Sequence, residues 1–207
     1  MRSIFFICAV ALLAGCAVVK TAYLMEYDTT VPLYNGTDKY HENGMLDRCR
    51  LTEPTIIDGF VCIDWIHLSE EGCIEQFEVA RPFPFAGISV PVGSIVFFYE
   101  DEPQLIETIM FSRDVEINEL IVQGGTKIMT SFHKNGRLRS CFLDQDTNIQ
   151  GIPCKADLFN YVSFYPTGRL ESCKLSTDIT LKGIEYKKGT DMHFEEDGSV
   201  SRMISSL

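Results

Sequence analysis

Apolar and polar residues alternate along most of the chain, and the alternating pattern returns about every 32 residues. Two segments show this directly, because residues 132–143 read FHKNGRLRSCFL and residues 164–175 read FYPTGRLESCKL. In each, a turn glycine separates residues that alternate as on a strand with one buried face. Taking that glycine as an origin gives five complete copies and a partial sixth, with origins at Gly44, Gly72, Gln104, Gly136, Gly168 and Gly198.

Equivalent positions of the copies carry the same kind of residue. The positions two, seven, thirteen and sixteen after the origin are apolar throughout the complete copies. The position fifteen after the origin is Glu119 in the third copy and glycine in the other four, at Gly59, Gly87, Gly151 and Gly183. Chance could supply one such column but not several, so the sequence predicts an internal repeat.

Each copy indicates β structure. The Asn-Gly, Thr-Gly and Asp-Gly pairs at the last three origins are typical of hairpin turns, because glycine takes a positive φ without strain. A second strand, a turn rich in Ser, Thr and Asp, and a third strand with the glycine column follow; a glycine there indicates a bulge or a close backbone approach. We therefore expect an all-β fold, an antiparallel β-meander or repeat array of about six units over residues 40–207. Residues 16–39 are expected to be a tether.

The first residues are typical of a secretion signal. Arg2 supplies a positive charge, and residues 4–14 are an apolar run that is too short to span a bilayer well. The run ends in Leu13-Ala14-Gly15-Cys16, which resembles the lipobox of bacterial lipoproteins. The resemblance implies that residues 1–15 are a cleaved signal helix and that Cys16 carries the lipid. An ordinary secretory signal with an unrelated cysteine is the alternative.

Lipidation implies a bacterial cell envelope. Because Ala17 lacks the acidic character that retains lipoproteins at the inner membrane, the resemblance implies the periplasmic face of the outer membrane. Without residues 1–15, the chain keeps 17 Lys and Arg residues against 29 Asp and Glu residues, a net charge of −12. That charge argues against nucleic-acid partners and against electrostatic binding to anionic lipid. We therefore expect the acyl chains alone to provide the membrane contact.

Residues 164–172, FYPTGRLES, resemble the MORN-variant repeats found in bacterial envelope lipoproteins and in YwqK-family antitoxins. The resemblance covers roughly residues 40–204. It implies an array of β-hairpins that is used for contacts, and it brings no catalytic residues.

Four cysteines occupy two equivalent positions of the repeat. Cys49 and Cys141 lie five residues after their origins, and Cys62 and Cys154 lie eighteen residues after theirs. In the second and third copies both positions are apolar, as Phe77 with Val90 and Ile109 with Val122. Because the two positions change together, we predict that they are neighbours across antiparallel strands and that disulfide bonds join Cys49 to Cys62 and Cys141 to Cys154.

Free buried thiols and a metal site are the alternatives to these bridges. Zinc is the weaker one, because the sequence has no Cys-x₂-Cys pair. Cys73 and Cys173 are left over, either bridged to each other or free.

Candidate catalytic groups are few. The histidines at positions 41, 67, 133 and 193 precede a turn glycine by three or five residues, which fits either a repeated ligand or exposed hairpin residues. We favour the second. The acidic clusters at 100–102 and 195–197 fall at turns, where solvated loops are commoner than calcium sites or acid–base pairs. The sequence contains no nucleophile elbow, phosphate loop or His-Glu-x-x-His, so we predict no catalytic residue, metal or cofactor.

These observations favour a non-enzymatic, lipid-anchored β-repeat protein that presents a surface to another envelope protein or to cell-wall material. An immunity or antitoxin-type lipoprotein that neutralises a toxin is a more specific alternative. An enzyme acting on envelope polymers is the third hypothesis. A cleft that gathers histidines and carboxylates from several repeats would favour the enzyme, whereas a broad sheet face with exposed apolar residues would favour binding.

Overall fold

The computed structural model describes residues 19–201, and every regular element in that range is a β-strand. The all-β fold class predicted from the repeat is therefore confirmed. The predicted signal segment 1–15, its helix and the lipidation site Cys16 lie outside the described residues.

Twelve strands form one antiparallel sheet. Numbered in chain order with the other strands, they are β3 (Lys39–Tyr40), β4 (Leu46–Arg50), β5 (Thr55–Ile57), β6 (Phe60–Leu68), β7 (Ile74–Val79), β10 (Ile95–Phe98), β11 (Ile106–Met110), β14 (Thr130–Phe132), β15 (Leu138–Cys141), β18 (Val162–Phe164), β19 (Leu170–Lys174) and β22 (Asp191–His193). The sheet is a meander from β3 at one edge to β22 at the other, and β5 pairs with β6 beside this path.

The ten remaining strands form five two-stranded hairpins. They are β1 (Lys20–Leu24) with β2 (Thr29–Leu33), β8 (Phe83–Phe85) with β9 (Ile88–Val90), β12 (Val115–Ile117) with β13 (Leu120–Val122), β16 (Thr147–Ile149) with β17 (Ile152–Cys154), and β20 (Ile179–Leu181) with β21 (Ile184–Tyr186). In the first copy β5 and the start of β6 form the corresponding hairpin. Buried side chains of the hairpins and of the inner face of the sheet form one hydrophobic cluster, so the core lies between these two layers.

A row of buried side chains crosses the sheet and forms the centre of this core. Its members, each at most 4% exposed, are Cys49, Ile66, Phe77, Val96, Ile109, Thr130, Cys141, Val162, Cys173 and Met192. Phe77 belongs to an aromatic cluster, with its ring centroid 4.9 Å from that of Phe60 and 6.0 Å from that of Phe98. Such ring pairs add to the stabilisation from buried area.

Thr130 contributes the one hydroxyl in this row, and its Oγ1 has no hydrogen-bond partner within residues 19–201. Because an unpaired buried hydroxyl costs about 1–3 kcal/mol, we expect Thr130→Val to raise the free energy of unfolding by about 1 kcal/mol in urea. Val162 fills the equivalent place in the next copy. Thr108→Val is the control, because Thr108 Oγ1 lies 3.1 Å from Ser131 Oγ. Equal gains from both substitutions would contradict this explanation.

The glycine column lies in turns, which corrects the expectation of a bulge within a third strand. Gly151 is the second central residue of the two-residue turn between β16 and β17. Gln150 and Gly151 have φ values of 52° and 88°, as in a type I′ turn, whose twist matches that of the flanking strands. A Cβ at Gly151 would meet no heavy atom within 4 Å, so the requirement is the backbone conformation and not space.

Glu119 occupies this turn position in the third copy, with a φ of 67°. Because a side chain in the left-handed region costs about 1 kcal/mol, we expect Glu119→Gly to raise the free energy of unfolding by up to about 1 kcal/mol in thermal denaturation. Glu116→Gly, in strand β12 of the same hairpin, should lower it instead. A loss of stability in both variants would refute the assignment of strain to Glu119.

Residues 20–33, within the predicted tether, form the ordered hairpin β1–β2. Val31 and Leu33 are buried in the core, and Leu33 pairs with Leu51. Leu33 thereby takes the place that Cys62 takes against Val79 one copy later. Because the first copy has no preceding neighbour, this hairpin covers its apolar end. The described part of the segment 16–39 therefore belongs to the β domain.

Candidate binding face

The face of the sheet that points away from the core carries a row of hydroxyl side chains. Strand register places Thr108, Ser131, Ser140, Ser163 and Ser172 side by side on five neighbouring strands. Two bonds join members of the row, Thr108 Oγ1 to Ser131 Oγ at 3.1 Å and Ser163 Oγ to Ser172 Oγ at 2.6 Å. Four of the five hydroxyls thus partner one another, and the short side chains form a low polar strip.

A second row on the same face is apolar. The residues two positions further along the strands share the face, and Glu78 of β7, opposite Ile95, is the one charged residue among them between β6 and β18. The apolar members of this row are Trp65, Ile95, Met110, Met129, Phe142 and Tyr161. Trp65, Met129 and Tyr161 are 40%, 49% and 56% exposed. The rings of Phe142 and Tyr161 pack edge to face with centroids 6.4 Å apart. Large exposed side chains aligned across a sheet are typical of interaction surfaces. We call this row the apolar stripe.

The loop before β18 extends the apolar stripe. Leu158 and Phe159 are 64% and 89% exposed. Asp157 holds the loop in a turn, since its Oδ1 accepts the Phe159 N–H at 3.0 Å and its Oδ2 accepts Lys155 Nζ at 2.9 Å. The Phe159 N–H, and after it the Lys155 ammonium, lower the pKa of Asp157 to about 2. The turn therefore presents two large apolar side chains to solvent in a fixed loop.

Charged groups lie at both ends of the apolar stripe. Next to Trp65, Arg50 Nε pairs with Asp64 Oδ1 at 2.5 Å, and at the other end Lys174 Nζ lies 3.6 Å from Asp191 Oδ1. Exposed pairs of this kind add little to stability but exclude partners of the wrong charge pattern.

A shallow open pocket of about 320 Å³ lies beside Trp65, and His67, Glu78 and Ile95 belong to its lining. Burial, and after it the charge of Arg48, lowers the pKa of His67. Burial, and after it the charge of Asp64, raises the pKa of Glu78. Both shifts favour the neutral form of the side chain, because burial disfavours its charged form.

Ring side chains at the start of the sheet turns join successive copies. Each one bonds to a backbone carbonyl one copy further along the chain. The bonds are His41 Nε2 with Leu68 O at 2.8 Å, Tyr99 Oη to Phe132 O at 2.6 Å, His133 Nε2 with Phe164 O at 2.7 Å and Tyr165 Oη to Phe194 O at 2.8 Å. Two of the four histidines are thus structural links and not free hairpin residues. The sequence signal for these links was the recurrence of histidine or tyrosine at the start of the sheet turns.

The other two histidines lie on strands of the outer face. His67 faces Arg48 and Gln76, and His193 faces Ser172. Many strands separate the two, so they do not share a cleft. The described part of the chain holds no group of three or more His, Cys, Asp or Glu residues arranged to bind a metal ion.

The acidic clusters serve local contacts. Asp101 and Glu102 both accept bonds from Lys134 Nζ, at 2.5 and 2.8 Å. Asp197 Oδ1 accepts the Ser199 N–H of its own turn at 2.7 Å. These contacts match the prediction of loop residues at turns.

The six cysteines of the described chain are free thiols in this structure. Cys49, Cys62, Cys141 and Cys154 all face the core, and burial raises the pKa of the first three to about 12. The register differs from the one we predicted, because Cys49 lies opposite Ile66 and Cys62 opposite Val79. The bridges Cys49–Cys62 and Cys141–Cys154 stay predictions. The cross-strand pairing on which we based them is not the pairing in the structure.

Cys73 and Cys173 lie far apart. Cys73 precedes β7, and Cys173 is in β19, with five strands of the sheet between them. At about 4.8 Å per strand, that separation exceeds the span of a disulfide several times, so these two do not bridge each other.

Comparisons of the chain with protein-family models, with characterised proteins and with solved structures found no match. Within residues 19–201, no helix is long and apolar enough to cross a membrane.

Proposed function

We propose that the protein is a non-catalytic, lipid-anchored protein of the bacterial cell envelope, and that the outer face of its sheet binds another envelope protein. The apolar stripe carries this proposal, because it exposes large apolar side chains in a line across several repeats. A protein partner fits it better than a glycan, since the stripe offers apolar area and four of the five adjacent hydroxyls are already partnered with each other. Binding to cell-wall material is the competing outcome of the test.

The fold supports a surface role. Within residues 19–201, the hairpins pack on the inner face of the sheet, and the outer face exposes Trp65, Met129 and Tyr161. Ring-to-carbonyl links and a continuous core couple the copies, so neighbouring strands keep the stripe in a fixed shape. A preorganised surface loses less conformational entropy on binding.

Photocrosslinking in intact envelopes tests the binding face. A photoreactive phenylalanine analogue in place of Tyr161 samples the apolar stripe, and the same analogue in place of Tyr23 is the control. The two tyrosines are 56% and 57% exposed, but Tyr23 lies on the N-terminal hairpin. We expect a discrete protein adduct from position 161 only. Equal adducts from both positions, or none from 161, would contradict the proposal, and an adduct with sacculi would assign the face to the cell wall.

The energetic importance of the stripe can be measured once the crosslinked partner is purified. Tyr161→Ala should weaken binding about 10- to 30-fold, as expected for a central aromatic contact. Tyr23→Ala should leave affinity unchanged. Equal affinities for wild type and Tyr161→Ala would place the contact elsewhere.

The lipid anchor needs a separate test, because it depends on residues 1–18 alone. Cys16→Ala should leave an unprocessed precursor that takes up no labelled fatty acid. Cys8→Ala, inside the apolar run, is the matched control and should be processed and labelled normally. Normal labelling of Cys16→Ala would refute the anchor without affecting the binding face.

A further inference from the structure

The contact between the fourth and fifth repeats brings two thiols together inside the core. Cys154, at the end of β17, lies opposite Leu175, which directly follows β19. Cys173 lies two residues before Leu175 and therefore points to the same face. Cys154 and Cys173 are diagonal neighbours on the inner face, and they are 0% and 4% exposed.

The same diagonal recurs between other copies with different residues. It joins Cys62 to Phe77 and Val122 to Cys141, because Cys62 pairs with Val79 and Val122 with Leu143. Among these positions of the described repeats, Cys154 with Cys173 is the pair in which both residues are cysteines. The residue eighteen positions after an origin thus pairs across the hairpin within its own copy and also contacts the next copy.

We propose that Cys154 and Cys173 form a disulfide bond that joins the fourth and fifth repeats. Diagonal neighbours have Cα atoms about 7–8 Å apart, slightly beyond the usual range of a disulfide, so a small backbone shift must accompany formation of the bridge. Cys141 is the competing partner, but it lies opposite Val162 on β18, and β18 separates it from β19.

The reaction requires an external disulfide as oxidant, such as oxidised glutathione or a thiol–disulfide oxidoreductase. One thiolate attacks the oxidant to give a mixed disulfide and a released thiol. The second cysteine then displaces the remaining oxidant thiol. Two electrons pass from the cysteine sulfurs to the oxidant, and both protons end on the released thiols.

Burial determines when this reaction occurs. The neighbouring Cys173 thiol, and after it burial, raises the pKa of Cys154, so the folded protein holds few reactive thiolates. Oxidation should therefore accompany folding and be slow in the folded, reduced protein.

Peptide mapping tests the pairing in the full chain without reference to localisation. The denatured, reduced protein is refolded in a glutathione redox buffer, free thiols are alkylated, and the protein is cleaved with trypsin and an endoproteinase that cuts before aspartate. This double cleavage puts Cys141 in fragment 140–143, Cys154 in 146–155 and Cys173 in 170–174. We expect 146–155 linked to 170–174, at a yield at least about tenfold above any link between Cys49 and Cys62.

Other results overturn the proposal. A dominant link between 140–143 and 146–155 would support the pairing within one repeat instead. Alkylation of both Cys154 and Cys173 after refolding in the glutathione redox buffer would show that they are free thiols.

Variants that copy residues found in other copies give a second readout. Cys154→Val and Cys141→Ile place in the fourth copy what Val122 and Ile109 supply in the third. Reductant should lower the urea midpoint of wild type and Cys141→Ile by about 1 M, and it should not change that of Cys154→Val. Equal responses of all three proteins would refute the bridge. If a variant fails to fold, peptide mapping of the wild-type protein decides whether Cys154 is bonded to Cys173.

Discussion

Replacing Gly124 with alanine should lower the free energy of unfolding by about 3 kcal/mol or more, because the methyl group would collide with backbone. A Cβ at this position would lie 2.1 Å from the carbonyl oxygen of Arg113 and 2.8 Å from its Cα. Both atoms belong to the backbone, so the backbone at Arg113 and Gly124 would have to move apart. The Gly124 N–H also donates to Asp114 Oδ1 at 2.8 Å, a bond that such a movement would strain.

Gly136→Ala is the matched control for this prediction. Gly136 has a φ of 77°, but a Cβ there meets no heavy atom within 4 Å. Gly136→Ala should therefore lower the free energy of unfolding by only about 1 kcal/mol, the cost of a side chain in the left-handed region. Urea denaturation of the two variants measures the difference. Similar losses would mean that the approach to Arg113 is looser than the structure indicates.

Removing the ring of Phe132 should lower the free energy of unfolding by about 3–5 kcal/mol and separate the unfolding of the two halves of the array. Phe132 is fully buried, and its ring centroid lies 4.9 Å from that of Phe85 in the hairpin layer. Because each copy contacts mainly its neighbours, a cavity in a central copy weakens the coupling between the copies on either side.

The chain offers a local probe for this effect, because Trp65 is its one tryptophan and lies in the first copy. In wild type, tryptophan fluorescence and far-UV circular dichroism should follow one urea transition. In Phe132→Ala, the dichroism should begin to fall before the fluorescence changes, since the C-terminal copies lose their support first.

Phe194→Ala is the control at the equivalent position of the last sheet turn. Phe194 is buried at 4% exposure and is followed by few described residues. Its loss should fray one end of the array and leave the fluorescence midpoint nearly unchanged. Coincident transitions for Phe132→Ala would show that the array unfolds as a single unit even when its middle is weakened.

The candidate site was only partly visible in the sequence. Met110 and Phe142 are apolar residues six positions after their origins, where the first, second and fifth copies carry Arg50, Glu78 and Lys174. Apolar residues at a position that is otherwise charged were a signal for an exposed contact. That signal could not identify a continuous surface, because continuity depends on which residues of distant strands lie opposite each other.

The cysteines show the same limit of prediction from the sequence. The repeat correctly identified equivalent positions, and all four cysteines assigned to two of them are buried in the core. Equivalence does not say whether a position meets its own copy or the next one. The hairpin of each copy packs against the following copy, so Cys154 pairs with Thr147 of its own hairpin and with Leu175 of the next repeat, and not with Cys141.

The sequence by itself determined the β class, the number of copies and the buried positions, because these depend on local alternation and on residues recurring at fixed intervals. It also determined the turns at the repeat origins, where glycine recurs and a positive φ is needed, but not the turns that hold the glycines fifteen positions later. The tertiary structure alone decided that Leu33 and its hairpin cover the first copy, which residues oppose one another, and which side chains form the apolar stripe. The physical reason is that register and layer contacts arise from packing between segments about 32 residues apart, and a period in the sequence does not specify how neighbouring copies are offset.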